Sequence, residues 1–295
     1  MDKANNGMSV QAYLKRIGFR GKVTKTAETL FKLQRCHLTS VPYESLDIWR
    51  GRAEPLTYEA MYDKIVNRRR GGYCFELNGL FAWLLRLLGY NVREYFGRWL
   101  MGEDMAVPKR RHRVVCVALP HGPNKIVDVG IGMAFVLAPL DFVFDVPQPQ
   151  GTQIYRIVKD PVLTCVVQIR KKDGAWVNLF SFDTAPQLPV DFAYAHWWCA
   201  THPESQFLQK MWVFLPLLDG GSKAISLEPD PETGELATTL GLFGGDGKVE
   251  KTVLRGEAAF AAALKEHFGI VETPGRFLDD GPLNERILFS SRSGQ

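Results

Sequence analysis

Apolar residues in the first ninety positions recur every three or four residues, which is the period of an amphipathic helix. In SVQAYLKRIGF the apolar face comprises Val10, Tyr13, Leu14 and Ile17. Ser9 precedes this face and is a suitable helix N-cap. A similar pattern follows Thr57 and predicts a second helix that ends at Gly71 and Gly72. The N-terminal part is therefore predicted to be helical.

The pattern after Cys74 covers more than one side of a helix. The apolar positions there are Leu77, Leu80, Phe81, Leu84, Leu85 and Leu88. A helix that is apolar nearly all round is typical of a buried position. Gly89 is predicted to end it.

From about residue 91 the pattern changes to short runs rich in β-branched and aromatic residues. Examples are VREYFGRWL, RVVCVAL, KIVDVGIG, TQIYRIVK and TCVVQIR, and a hairpin is predicted to turn at Asp173-Gly174. Many short strands in succession favour a barrel or a curled antiparallel sheet. An aromatic-rich stretch near residue 195 and EAAFAAALKEHFG predict later helices. We predict three domains: a helical domain over residues 1–90, a β-barrel domain over 91–209, and a C-terminal α/β domain over 210–295.

Composition narrows the class of protein. The chain has 295 residues, 46% of them hydrophobic, and a formal charge of +4, which suits an anionic small molecule but does not indicate nucleic acid. Five cysteines occur without a CxxC pair, so no metal site is predicted. The N-terminus lacks an apolar signal core, and Arg86 interrupts the longest apolar run. We expect a cytoplasmic protein with reduced thiols and no membrane partner.

Cys74 stands where a turn leads into the buried helix. Gly71 and Gly72 allow a sharp bend and leave room for a molecule to approach the sulfur. Backbone N–H groups at a helix start favour an anion, which predicts a lowered thiol pKa and a reactive thiolate. The alternative is a small buried residue, as most cysteines are.

A nucleophilic thiolate needs a base, and the base needs an orienting group. Among six histidines, His112 alone begins a predicted strand. The next predicted strand places Asp128 among apolar residues, where a buried carboxylate needs a partner. Adjacent strands bring such side chains within reach, so Cys74, His112 and Asp128 form a possible triad. Other pairings stay open, and a capping histidine and a loop-facing aspartate are the alternatives.

Four segments together resemble the arylamine N-acetyltransferases. They are HLTSVPYESLD, RGGYCFE with its apolar helix, VDVGIG and HWWCATHPESQF. Tyr43 and Ser45 stand where that family usually has phenylalanine and asparagine. The resemblance implies an α+β fold with a helical bundle, a β barrel, an α/β lid and a papain-like Cys-His-Asp core. It implies that Cys74, His112 and Asp128 are catalytic, and that Glu44 pairs with Arg70 to support the turn before the nucleophile.

The resemblance also implies a ping-pong reaction. The acyl group of an acyl-CoA passes through a cysteine thioester to an arylamine, arylhydrazine or N-hydroxyarylamine. Acetyl-CoA or malonyl-CoA is then a cosubstrate, and no permanently bound cofactor and no metal is implied. A malonyltransferase, a cysteine hydrolase or amidase, and a non-catalytic binding module are the alternatives, and the oligomeric state is not predicted.

Two segments are predicted to bind substrate. Gly130, Ile131 and Gly132 belong to VDVGIG, in which isoleucine replaces the family's common aromatic residue. Lys109, Arg110 and Arg111 directly precede His112. These cations suit the CoA phosphates or the free carboxylate of a malonyl group. A solvated basic loop is the alternative.

Overall fold

The computed structural model describes residues 7–106, 108–132 and 136–271. The helices in these residues are α1 (Val10–Arg16), α2 (Ala27–Leu38), α3 (Leu46–Trp49), α4 (Tyr58–Tyr62), α5 (Cys74–Leu87), α6 (Phe192–Thr201), α7 (Gln206–Gln209) and α8 (Gly256–Phe268). Ser9 and Thr57 cap α1 and α4, since each hydroxyl accepts a hydrogen bond from the N–H three residues on, at 3.2 Å. Both predicted N-caps are confirmed.

The helix after Thr57 ends earlier than predicted. α4 continues into a π-helical turn, Asp63–Asn67, and the chain then reverses at Arg69, whose φ is 55°. Gly71 has a different role from ending the helix, because a Cβ there would lie 2.1 Å from the carbonyl oxygen of Pro42. The glycine therefore permits two backbone segments to approach closely just before Cys74.

The strands form two antiparallel sheets. They are β1 (Tyr43–Glu44), β2 (Asn91–Trp99), β3 (His112–Ala118), β4 (Lys125–Val127), β5 (Leu140–Asp141), β6 (Gln148–Gln150), β7 (Gln153–Asp160), β8 (Thr164–Arg170), β9 (Trp176–Phe182), β10 (Trp212–Pro216), β11 (Ser222–Pro229), β12 (Leu236–Phe243) and β13 (Val249–Val253). Eight of them, in the order β5-β4-β3-β2-β9-β8-β7-β6, curl into a nearly closed barrel. The predicted α+β class and its barrel are confirmed.

The second sheet joins distant parts of the chain. Its order is β1-β10-β11-β12-β13, so a short strand from the helical part lies at one edge. Tyr43 pairs with Phe214 of β10 and also forms a bridge with Gly72. The pattern of apolar residues did not predict β1, because a two-residue strand has no period to detect. The predicted domain boundaries near residues 90 and 209 fall between elements, and the division itself stays a prediction.

α5 lies at the centre of the molecule. Its residues from Cys74 to Leu85 are all buried, as the all-round apolar pattern predicted. One side packs with α1 and α2, and the other packs on β2 and β3 of the barrel. This helix therefore carries its first residue to the contact between the bundle and the barrel. Across the described residues, no helix combines the length and apolar character that a bilayer crossing requires.

Candidate active site

The structure brings Cys74, His112 and Asp128 together. Cys74 is the first residue of α5, His112 is the first of β3, and Asp128 directly follows β4. Since β3 and β4 run antiparallel, the residue after β4 lies beside the start of β3. His112 Nε2 lies 2.6 Å from Asp128 Oδ2, and the imidazole hydrogen-bonds the thiol of Cys74. All three side chains are buried.

Asp128 orients the imidazole of His112. Its Nε2 is occupied by Asp128, which leaves Nδ1 as the ring nitrogen for Cys74. Burial opposes the charged imidazolium, but Asp128 and the hydrogen bond with Cys74 outweigh it and raise the pKa of His112 to about 10. An imidazole held in this way can take the thiol proton, and the carboxylate stabilises the cation that forms.

The pKa of Cys74 differs from the sequence-based expectation. Burial raises the pKa of the thiol, and the hydrogen bond with His112 offsets only part of that rise. The predicted lowering at a helix start was wrong in net direction, because burial outweighs it here. The thiol donates to the carbonyl oxygen of Arg111 at 3.4 Å. The thiol therefore depends on His112 for deprotonation.

Asn78 ties the triad together from the same helix. It lies one turn after Cys74 and is fully buried. Its amide nitrogen donates to Asp128 Oδ1 at 2.8 Å and to the carbonyl oxygen of Arg113 at 2.6 Å. Its Oδ1 accepts from the N–H of Val129 at 2.8 Å. Asn78 thus fixes the carboxylate relative to the helix that carries the thiol.

A buried charge cluster supports the turn before Cys74. Its members are Glu44, Asp47, Lys64, Arg70 and Glu76. Arg70 Nη2 lies 2.8 Å from Glu44 Oε1, which is the pairing that the family resemblance implies, and 3.1 Å from Asp47 Oδ1. Lys64 Nζ lies 2.7 Å from Asp47 Oδ2 and 2.9 Å from Glu76 Oε1. The backbone of residues 70–76 is therefore held by ion pairs from three segments.

The basic residues before His112 form contacts with other side chains of the protein. Arg110 pairs with Asp183 at the surface. The Lys109 ammonium lies 5.6 Å from the ring centroid of Trp198. The guanidinium of Arg111 is buried, pairs with Glu103 and lies over the ring of Phe207.

Arg68 and Arg69 precede Arg70 in the basic run RRRGG. Both residues are exposed. Arg68 nevertheless forms ion pairs with Glu54 at 2.7 Å and with Asp63 at 2.8 Å.

The VDVGIG segment lies against Cys74. A Cβ at Gly130 would lie 2.7 Å from Cys74 Cα, and one at Gly132 would lie 3.1 Å from the ring of Tyr43. Both glycines therefore allow close packing at the thiol. Ile131 is buried in the apolar core of the barrel. Its predicted role as a wall of the acceptor pocket stays a prediction.

Sequence reasoning missed Asn78 and Lys64. Asn78 had a detectable signal, because an amide four residues after the nucleophile falls on the same face of an otherwise apolar helix. Lys64 had only a weak signal, a lysine within the apolar pattern after Thr57. Its partners Asp47 and Glu76 come from two other segments, and no local pattern indicates them.

The chain is similar in sequence to proteins of one known family. A family model described as N-acetyltransferase matches residues 26–273. The arylamine N-acetyltransferase of Mycobacterium tuberculosis is 33% identical over 267 residues, which are 89% of this chain and 89% of the relative. The enzyme of the same name from Escherichia coli is 33% identical over 214 residues, covering 72% and 75% of the two chains.

Solved structures agree on the fold. The arylamine N-acetyltransferase from Salmonella typhimurium superposes with a TM-score of 0.81 at 28% identity, and the match covers 95% of this chain and 98% of that one. The Mycobacterium marinum enzyme in complex with CoA superposes with a TM-score of 0.77 at 31% identity and the same coverage. The helices, barrel and second sheet thus match these structures along nearly their whole length.

Proposed function

The chain belongs to the arylamine N-acetyltransferase family, and on that basis we propose that it transfers an acyl group from acyl-CoA to an arylamine through a thioester on Cys74. The observation that carries this proposal is the contact of the Cys74 thiol with an imidazole that Asp128 orients. A thiolate is a good nucleophile toward a thioester, and the arrangement supplies its base.

The first half-reaction acylates the enzyme. His112 takes the thiol proton, and the sulfur attacks the carbonyl carbon of the acyl-CoA. The bond to the CoA sulfur then breaks, and CoA leaves with the proton from His112. Cys74 is the first residue of α5, so N–H groups at this helix start are candidates to stabilise the oxyanion.

The second half-reaction transfers the acyl group. The arylamine nitrogen attacks the thioester on Cys74 while His112 accepts a proton from the nitrogen. The bond between carbon and the Cys74 sulfur breaks, and the thiol is regenerated. The two substrates never need to bind at once, which defines a ping-pong mechanism.

We further propose that the donor carries an uncharged acyl group such as acetyl. The backbone carbonyl oxygen of Arg111 accepts from the Cys74 thiol and its side chain is buried, so this residue is a cation placed to hold a malonyl carboxylate. Its guanidinium already pairs with Glu103, and Gln206 donates to the same carboxylate at 2.5 Å. A malonyl group would therefore have to compete with a carboxylate of the protein and would bring a second negative charge close to it.

Incubation with an acyl-CoA and no acceptor tests the proposed transfer directly. We expect acetyl-CoA to add the mass of one acetyl group to the intact protein and peptide mapping to place it on Cys74. Added aniline should discharge the adduct as acetanilide. An unmodified protein under these conditions, or acyl groups spread over lysines, would contradict the proposal.

The variant Glu103→Gln tests the donor preference. The glutamine keeps the size of the side chain but removes the charge that neutralises Arg111, so kcat/KM for malonyl-CoA should rise relative to acetyl-CoA. A charge-assisted contact of this kind changes the ratio by roughly ten- to a hundredfold. Asp183→Asn is the matched control, since it releases the exposed Arg110 instead. An equal change for both donors in Glu103→Gln would argue against selection by this pair.

A further inference from the structure

Tyr73, the residue before the nucleophile, is connected to a histidine on another helix. Its hydroxyl oxygen lies 2.5 Å from Nδ1 of His196, which is on α6. On the other side of the ring, His196 Nε2 lies 2.8 Å from the backbone carbonyl oxygen of Glu54. Tyr73 is fully buried and His196 nearly so.

These contacts determine the direction of both hydrogen bonds. A carbonyl oxygen only accepts, so Nε2 of His196 carries the proton and donates to Glu54. In a neutral imidazole the other nitrogen is then an acceptor, so the hydroxyl of Tyr73 donates to Nδ1. Burial keeps both groups neutral, since it lowers the pKa of His196 and holds that of Tyr73 well above its ordinary value.

The position of Tyr73 is coupled to that of the thiol. Tyr73 is the N-cap residue of α5, its N–H donates to Glu76 at 3.0 Å, and its carbonyl oxygen accepts from Leu77 at 2.9 Å. Its ring packs edge-on against Phe75 and Phe207. The backbone and the ring of Tyr73 are thus both anchored at the residue that directly precedes Cys74, so loss of an anchor there can displace the thiol.

We propose that His196 is a positioning residue, which aligns Cys74 with His112 by accepting the hydrogen bond from Tyr73. This role rests on the proposed role of Cys74 as the nucleophile. It makes His196 a group outside the triad on which the reactivity of the thiol depends. The bond to Glu54 has the secondary role of setting the tautomer of His196.

Two amide substitutions separate the two bonds. Asparagine places its amide near the position of Nδ1, so His196→Asn keeps an acceptor for Tyr73 and loses the donor to Glu54. Glutamine reaches the position of Nε2, so His196→Gln keeps a donor to Glu54 and loses the acceptor for Tyr73. Tyr73→Phe removes only the hydroxyl. His202→Asn is the control, because this second histidine of the same segment stacks on Trp198 instead.

The rates to measure are acylation by acetyl-CoA, kcat and KM separately, and alkylation of Cys74 by iodoacetamide. We expect Tyr73→Phe and His196→Gln to lose roughly ten- to a hundredfold in kcat and in alkylation, as misplaced reacting groups do, with KM for acetyl-CoA unchanged. The double variant should be no slower than either single one. His196→Asn and His202→Asn should stay close to the parent rate.

Thermal unfolding and active-thiol titration would show that the rates refer to folded protein. Parent rates in both Tyr73→Phe and His196→Gln would overturn the inference, and so would an equal loss in His196→Asn and His196→Gln. Adduct formation on Cys74 in the parent protein distinguishes a failure of this inference from a failure of the proposed function. If the parent forms no adduct on Cys74, the proposed function fails. If it does and the variants match it, only the role of His196 fails.

Discussion

Replacing Cys74 with alanine should remove acyl transfer, with kcat/KM falling by on the order of a thousandfold or more, as for the nucleophile of other acyl-transfer enzymes. No thioester can form without the sulfur, so the intact mass should stay unchanged after incubation with acetyl-CoA. Cys74→Ser keeps an atom in place, but a hydroxyl is a much weaker nucleophile at neutral pH, and it should be nearly as inactive. Acetylation of aniline and the mass of the protein measure both effects.

The matched control is Cys36→Ala. Cys36 is a partly exposed free thiol on α2, away from the triad. This variant should keep the rate and the adduct of the parent. If Cys74→Ala kept transfer near the parent rate, another group would have to carry the acyl chain, and the role assigned to the start of α5 would be lost.

Removing the base or its carboxylate should have the second-largest effect. His112→Ala and Asp128→Ala should each lower kcat/KM by about a hundredfold or more, which is the scale of general base catalysis. Since the two groups act through one hydrogen bond, the double variant should be little worse than the poorer single one. Asp128→Asn should lose activity by presenting the wrong ring nitrogen to the sulfur.

The measurement is kcat/KM for the four variants with one donor and one acceptor. Asp183→Asn serves as a control carboxylate on the barrel surface and should keep the parent value. Losses that multiply in the double variant would show that His112 and Asp128 act independently. Such a result would contradict a triad even if Cys74 were essential.

Much of the site was accessible from sequence because its chemistry is local. Cys74 follows two glycines and opens an apolar helix, which makes it a candidate nucleophile from about a dozen residues, and the family resemblance selected it. His112 and Asp128 belong to consecutive strands, so antiparallel pairing brings them together. The helix caps Ser9 and Thr57 were predictable because each bonds a backbone N–H only three residues away.

The remaining features depend on distant partners. Glu103 contacts Arg111 and Gln206 only when distant parts of the chain have packed together. The same holds for the contact of Tyr73 with His196 on α6. The pKa of Cys74 went up instead of down because burial is a property of the whole fold. Short elements such as β1 and the π-helical turn have too few residues for a period to show.

β1 also has a consequence for the growing chain on the ribosome. Glu44 donates its N–H to the carbonyl oxygen of Gly72, and Tyr43 and Glu44 pair on their other side with β10. During synthesis, the strand beside the nucleophile turn has no partner on that side until residues 212–216 have emerged. The bundle and the barrel can then fold while the backbone around the thiol is still incompletely held. A nascent chain released before β10 would thus carry Cys74, His112 and Asp128 yet lack part of the framework that holds the backbone before Cys74.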